Sequence, residues 1–407
     1  MKYAKLAALA LMALNLVSCS NTQESIGDKS IAVFENEKLN FNPEKNKTIT
    51  TDKVIKIDNG RIILTKVNLP EYNKHVEVSV NAELTSAGDP WDKTGSLFLI
   101  PSDSELNFLL ENEDFNNLFD ITNEDLFPGV VSEKNYKPAV EILRFMTPFG
   151  VGHYSNDPKL AKRKPVYIPK WEEKVVWNQD VTQLLNELEG EVWIAAFVDV
   201  WTKEGYELSV KLNYTESKAV DYPKQDTKVI PLVNTTRYVG PQRLYDEFSR
   251  TNLTCEFEID SDYKKAELYY ITTGHGGHSG GDEFVEKRNI VKLDSKELYN
   301  DIPWRDDCAS FRRFNPHSGV WTEQRIAKTG NLKTGDTKEE MIDEFIASSD
   351  YSRSNWCPGS KVEPFVLELD GISKGKHQLE ISIPEAQEEK ENEMNHWNVS
   401  AYLVLTK

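Results

Sequence analysis

Glu207-Leu208-Ser209-Val210-Lys211-Leu212 alternates polar and apolar residues without a break. A period of two puts Leu208, Val210 and Leu212 on one face of an extended strand and the polar residues on the other. The same pattern recurs in Val76-Glu77-Val78-Ser79-Val80 and in Gln378-Leu379-Glu380-Ile381-Ser382-Ile383. Denser apolar runs occupy residues 95–100, 192–201 and 397–405. Roughly thirteen strand candidates are separated by Gly, Asn, Asp and Pro clusters. Strands and helices do not alternate at regular spacing, so a doubly wound sheet or an α/β barrel is excluded, and antiparallel β-sandwich architecture is expected. Two segments read as helices inserted between strands, residues 104–119 and 338–348. Residues 213–228 are polar, contain Pro223 and read as a linker.

The amino terminus has its own pattern. Lys2 and Lys5 precede a short apolar run, Leu6 to Leu16, and Leu16-Val17-Ser18-Cys19 has the form of a bacterial lipobox. The run is too short to span a bilayer and reads as an export signal over residues 1–18. Cys19 is then the expected lipidation site, with residues 19–29 as a polar tether. Ser20 argues against retention at the inner membrane, so anchoring at the outer membrane is expected, on its periplasmic face or at the cell surface. About 380 residues remain, enough for two domains. The net charge of −18 disfavours nucleic acid as a partner. Of the four cysteines, Cys308 and Cys357 sit in loop-like sequence and form the natural disulfide pair in an oxidising compartment. Cys255, in an alternating run, reads as a buried free thiol. The acidic run Glu385 to Glu393 reads as a solvated loop.

Four groups carry residues useful for catalysis. They are Gly88-Asp89-Pro90-Trp91-Asp92, Val198-Asp199-Val200-Trp201, the glycine-rich stretch Gly274-His275-Gly276-Gly277-His278-Ser279-Gly280-Gly281-Asp282-Glu283, and Arg353-Ser354-Asn355-Trp356-Cys357-Pro358-Gly359. Each places a charged residue beside a tryptophan or glycine. The glycine-rich stretch reads equally as part of a site or as a solvated hairpin tip. Tryptophans at such positions are also ordinary core residues, and Asp at a strand end is an ordinary turn residue.

Together these groups resemble the peptide-N-glycosidase F family. Arg144-Phe145-Met146-Thr147-Pro148-Phe149-Gly150-Val151-Gly152 is similar to the family's Arg-Phe-Ile-Thr-Pro-Tyr-x-Val-Gly stretch. Asp199-Val200-Trp201 followed by Gly205-Tyr206-Glu207-Leu208-Ser209-Val210 resembles its Glu-x-Trp and Gly-x-Glu-Tyr-Ser-Val, and Arg353-x-x-Trp356-Cys357-Pro358-Gly359 repeats its Arg-x-x-Trp-Cys-Pro-Gly. The resemblance implies two adjacent eight-stranded antiparallel jelly rolls, over residues 30–220 and 221–407, with a site in the cleft between them and an insertion around residues 101–137. It implies hydrolysis of the amide joining asparagine to the proximal GlcNAc of N-linked glycopeptides or glycoproteins, by a monomer with no cofactor. Asp92, Glu283 and Asp199 take the catalytic positions. Trp91, Lys93, Trp201, Arg353 and His275 take substrate-binding positions, and Cys308–Cys357 matches a family disulfide. Asp199 stands for a longer Glu, Lys93 for an Arg, and Phe284 for a Trp. These departures leave a glycan-binding lipoprotein without turnover as an alternative. His275 and His278, with His317 elsewhere, leave a metal site of the copper-oxygenase kind as a weaker one.

Overall fold

The computed structural model describes residues 27–44, 49–50, 53–114, 131–132, 136–216, 223–236, 247–278 and 280–407. The expected export signal, Cys19 and most of the tether lie outside the described residues. Two β-sandwiches follow one another along the chain. In the first, a four-stranded sheet runs in the order Lys29–Leu39, Tyr206–Glu216, Val76–Ser86, Val175–Asp180. It packs on a seven-stranded sheet ordered Lys361–Val362, Val140–Met146, Thr94–Ile100, Gly190–Val198, Ile62–Leu69, Ile55–Ile57, Ile49–Thr50. The second sandwich has four strands in each sheet. One sheet runs Thr227–Asn234, His396–Thr406, Lys265–His275, Phe365–Leu369, and the other Leu253–Ile259, Gly375–Ser382, Asn289–Leu293, Lys296–Asp301. The long-strand pairings are antiparallel. The polar–apolar alternation becomes one buried face per strand, as in Val76–Ser86 with Val76, Val78, Val80, Ala82 and Leu84 in the first core.

The denser apolar runs have a different cause. Strand Gly190–Val198 turns Ile194, Ala196 and Val198 into the sandwich core and Trp193, Ala195 and Phe197 to the other face of the sheet. There a short helix, Glu105–Glu111, covers them with Leu106, Leu109 and Leu110. Ser104 caps that helix, its Oγ accepting from Asn107 N at 3.1 Å. The expected helix is therefore present in its first part, and residues 115–119 lie outside the described residues. A strand covered on both faces needs no polar alternation.

Two expectations are corrected. Residues 338–347 belong to strand Thr337–Ala347, paired over its whole length with Val320–Gly330, and Ser348 opens a short 3-10 turn. Met341, Ile342, Phe345 and Ile346 fit helical spacing, but helix propensity is a weak preference, and a full ladder to the preceding strand outweighs it. Residues 213–216 continue strand Tyr206–Glu216 rather than starting a linker. Tyr214 still points into the core, and its hydroxyl donates to Leu188 O at 2.7 Å. Residues 217–222 lie outside the described residues. Cys308 and Cys357 form a disulfide, and Cys255 is free and buried. In the chain-entropy picture, the disulfide contributes about 4 kcal/mol for a closed loop of this length.

The sandwiches are locked together. Strand Lys361–Val362, from the carboxy-terminal half, adds to the edge of the first sandwich beside Val140–Met146. Tyr402 and Val404 pack into the first core. Between the two bodies lies Arg144, fully buried. Its Nε and NH2 donate to Glu141 at 2.9 and 2.6 Å, NH1 to Asn398 O at 2.5 Å, and NH2 to Thr236 Oγ1 at 2.9 Å. Ser96 Oγ also donates to Glu141. Arg144→Leu would leave the Glu141 carboxylate buried without its cation. We expect a loss of about 3–5 kcal/mol, as for other broken buried pairs, read as a lower urea midpoint. A loss under about 1 kcal/mol would show that the pair does not hold the bodies together.

Candidate active site

The loop after strand Val76–Ser86 presents Asp92, and its shape is set by Asp89. That buried carboxylate accepts from Trp91 N and Thr202 Oγ1, each at 2.8 Å. Tyr206 Oη donates to Trp91 O, and Lys93 N donates to Thr147 Oγ1 at 2.8 Å. Thr147 N returns a bond to Lys93 O at 2.8 Å. Backbone on both sides of Asp92 is therefore tied to neighbouring strands and loops, while Trp91 keeps about half its surface in solvent.

The second sandwich brings Glu283 and Arg353 to meet Asp92. Arg353 is buried, with Nε donating to Glu283 Oε1 at 2.9 Å. NH1 donates to Ser348 O and Tyr351 O, each at 3.0 Å. NH2 stands 3.6 Å from Asp92 Oδ2. The guanidinium carbon lies 4.9 Å from the Phe284 ring centroid and 4.8 Å from that of Trp356. One cation, fixed by two backbone carbonyls and two rings, thus joins a carboxylate from each sandwich. Burial pushes both carboxyls up. Glu283 is raised to about 7, by burial against the pull of Arg353 and with the Asp92 charge adding to the rise. Burial raises Asp92 too, opposed by Arg353 and then by Lys93. Lys93 thus acts on Asp92 as a nearby positive charge.

The glycine-rich stretch serves packing. A Cβ on Gly274 would stand 2.8 Å from both Asp282 O and Trp397 Cζ2, and one on Gly281 would stand 2.2 Å from Gly276 O. Asp282, fully buried, accepts from Trp397 Nε1 and Gln387 N, both at 3.0 Å. Ser354 Oγ donates to Asp282 O at 2.6 Å, and Ser354 N donates to Glu283 O at 3.0 Å. The loop is clamped by the segments around Ser354 and Trp397, and this clamp aims Glu283. The acidic run Glu385 to Glu393 is mostly exposed, but its Gln387 is part of the clamp.

The remaining expected residues fall elsewhere. Asp199 is not in the Asp92–Arg353–Glu283 cluster; its Oδ1 stands 3.6 Å from Arg61 NH1. Its backbone N donates to Thr94 O at 2.9 Å, at the start of the strand that follows Asp92. Trp201, half exposed, packs on Arg61, the guanidinium carbon 4.3 Å from the indole centroid, with Phe41 beside it at 5.0 Å. His275 is buried, its ring stacked on Trp356 and His396, and its Nε2 meets Thr273 Oγ1 at 2.8 Å. Burial, and then the neighbouring His396, push its pKa well down, so it is neutral. His278 Nε2 pairs instead with Asn395 Oδ1 at 3.1 Å, and His317 packs on Tyr154. Among the described residues, no three His, Cys, Asp or Glu side chains are grouped to hold a metal.

Arg61, Phe41, Asp89, Tyr206 and Thr147 carry the site without having been assigned to it from sequence. Asp89 and Thr147 lie inside the quoted motifs, and the Asp-Pro turn marked Asp89 as a backbone-bonding residue. Arg61 follows a turn through Asn59 at φ 57°, and nothing local announces its role.

The match to known proteins follows the same two bodies. Residues 30–214 match the family model described as Peptide-N-glycosidase F, N terminal, and residues 244–404 match Peptide-N-glycosidase F, C terminal. The chain belongs to the peptide-N-glycosidase F family. PNGF-II, solved in two crystal forms, is 32% identical with a TM-score of 0.74; the match covers 93% of this chain and 65% of PNGF-II. This family member thus spans slightly less than two thirds of that relative. PNGase F, a glycosylasparaginase from Flavobacterium meningosepticum, is 13% identical with a TM-score of 0.58, over 94% of this chain and 96% of that one. That second likeness speaks for the fold. No curated protein sequence matches the chain significantly.

The raised pKa of Glu283 has a signed consequence. Its folded value lies above the usual carboxyl value, so the protonated form is favoured by folding. Stability from this group is complete below about pH 4 and is lost as pH rises through about 7. Glu283→Gln is therefore expected to unfold at a higher temperature than the parent at pH 8 and at the same temperature at pH 4. Equal midpoints at pH 8 would show that Glu283 ionises freely.

Proposed function

We propose that this protein is an N-glycan amidase, hydrolysing the bond between the asparagine side-chain carbonyl and the nitrogen carried by the proximal GlcNAc. The observation that carries the reading is the Asp92–Arg353–Glu283 cluster, assembled from both sandwiches of a peptide-N-glycosidase F family chain. Water adds to the amide carbon, the carbon–nitrogen bond breaks, and an aspartate-containing peptide and a glycosylamine leave. Asp92, from the first sandwich, positions the water and takes its proton. Its raised pKa brings the carboxylate closer to the basicity such a step uses. Arg353 NH2, beyond hydrogen-bond length from Asp92, keeps donors for the developing oxyanion. Glu283, at about 7, holds a proton in part of the molecules at neutral pH and can pass it to the leaving nitrogen. No sugar–sugar bond is touched, so the carboxylate-spacing rules of glycoside hydrolysis have no bearing.

Trp201 and Asp199, braced by Arg61, would form the sugar-facing platform, with Trp91 as a second exposed indole. Indole faces suit the C–H faces of sugar rings. The shorter Asp199 is drawn to Arg61, which supports a role in holding the glycan rather than in the chemical step. The export signal and Cys19 extend the proposal: a lipid-anchored, monomeric protein at the outer membrane, acting on glycopeptides or glycoproteins that reach it.

Incubation of a defined N-glycopeptide with residues 27–407 tests the reading by mass spectrometry. We expect release of the intact glycan and a gain of about one mass unit as Asn becomes Asp. Asp92→Asn should lower kcat by about 10²–10⁴-fold, the range of a lost general base. Absence of release from high-mannose, complex and core-modified substrates alike would overturn it in favour of glycan binding without turnover.

A further inference from the structure

One large feature extends away from the Asp92–Arg353–Glu283 cluster. Among the described residues, strands Val320–Gly330 and Thr337–Ala347, eleven residues each, pair only with each other and form a two-stranded arm. At about 3.3 Å per residue its length approaches ~35 Å. Both strands are mostly exposed, although a free two-stranded ribbon is marginally stable in water. Cross-strand register puts Val320, Ile326, Met341 and Phe345 on one face, and all four are exposed; Phe345 has 78% of its surface in solvent. Leu332 is exposed at the tip. The opposite face carries Trp321, Ile342 and Ile346, together with the Arg325–Glu344 ion pair.

The root of the arm is built into the candidate active site. Ser348 and Tyr351, immediately after the second strand, are the two carbonyls that hold Arg353 NH1. Ser348 N is bonded to Gly319 O at 2.7 Å, immediately before the first strand. A row of rings leads outward from the guanidinium. Phe284 meets Tyr351 edge-on at 6.1 Å, and Tyr351 stacks on Trp321 at 4.8 Å. The arm is thus continuous with the place where the amide would be cut.

We propose that this arm docks the polypeptide portion of the glycosylated substrate, as an extended segment with apolar residues flanking the modified asparagine. The inference rests on the amidase reading of the site. Such a substrate has two halves, a glycan and a chain. The exposed indoles Trp91 and Trp201 and the Asp199–Arg61 pair suit the glycan, and the arm supplies what they lack. It offers an extended exposed face, with Ile326, Met341 and Phe345 side by side, on which the apolar side chains of an extended segment can rest. A second copy of this chain is the poorer occupant. Four apolar side chains on a ribbon cover much less than the roughly 800 Å² per partner of a stable interface, and the charges interspersed along both strands oppose edge-to-edge pairing.

The test compares the parent with an Ile326→Ser/Phe345→Ser variant, both positions being exposed and distant from the cores. Two substrates carry the same glycan: a glycosylated tripeptide, and a long glycopeptide with about ten residues, several of them apolar, on each side of the asparagine. The expected result is a KM at least ~10-fold higher for the long substrate, with kcat and all tripeptide kinetics unchanged. Fluorescence anisotropy of the long peptide without its glycan should show binding to the parent and at least ~10-fold weaker binding to the variant. Unchanged KM and unchanged anisotropy would overturn the proposal. So would a variant that loses only self-association in sedimentation, or only binding to anionic lipid vesicles, since the occupant would then be a second copy or a membrane. If the parent cuts neither substrate, the amidase reading falls and anisotropy alone decides the role of the arm.

Discussion

Arg144 carries a positive charge into a place sealed from solvent, and both sandwiches close around it. Its guanidinium can stay there because Glu141 neutralises it in a two-bond pairing and the second sandwich contributes a carbonyl and a threonine hydroxyl. Neither body can supply that set alone. Their relative placement is therefore set by directional bonds as well as by apolar packing, which alone would tolerate sliding. The Asp92–Arg353–Glu283 cluster inherits this rigidity. Asp92 belongs to one body, Glu283 and Arg353 to the other, and a shift of an ångström between bodies would change the 3.6 Å spacing of NH2 and Asp92 by a large fraction.

Within the cluster the same electrostatic device recurs with a different outcome. Arg144 and Glu141 meet in a two-bond pair, and neighbouring groups complete their bonding. Arg353 is shared between two carboxylates and engages only one at hydrogen-bond length. The second carboxylate is left close but without a bond from the guanidinium, and burial raises both pKa values against the pull of Arg353 and, at Asp92, of Lys93. A structural pair gains most from complete satisfaction. On the proposed amidase reading, a reacting pair needs capacity in reserve, which Arg353 NH2 and the raised Glu283 carboxyl would supply. Phe284, standing where a Trp was expected, fills its place against that guanidinium.

The strands of both cores were legible from alternation, because half-buried antiparallel strands must alternate. Asp92, Glu283 and Arg353 were legible from motif order. The helical reading of residues 338–348 failed because the deciding neighbour, strand Val320–Gly330, has charged and apolar residues mixed on both faces and does not announce itself. The linker reading of residues 213–216 failed because polar composition outweighed a continuing period of two that ends on buried Tyr214. His275 was placed with the substrate by the family resemblance. The glycines proved to serve close packing, and the ring stacks between Trp356 and His396.

Sequence by itself determined the fold class, the family and three of the residues that meet at the cleft, since periodicity and ordered motifs are written in local spacing. It also determined Cys308 and Cys357 as a pair. Tertiary structure alone decided that Asp199 and Trp201 would form a separate platform on Arg61, a residue with no local signature. Structure alone decided that Asp89 and Thr147 would hold the backbone of the Asp92 loop, and that residues 320–347 would leave the body as an arm rooted in Arg353. The physical reason is common to all three. Each depends on which distant group satisfies a buried charge or a backbone donor, and such partners are chosen by position in space rather than by spacing along the chain.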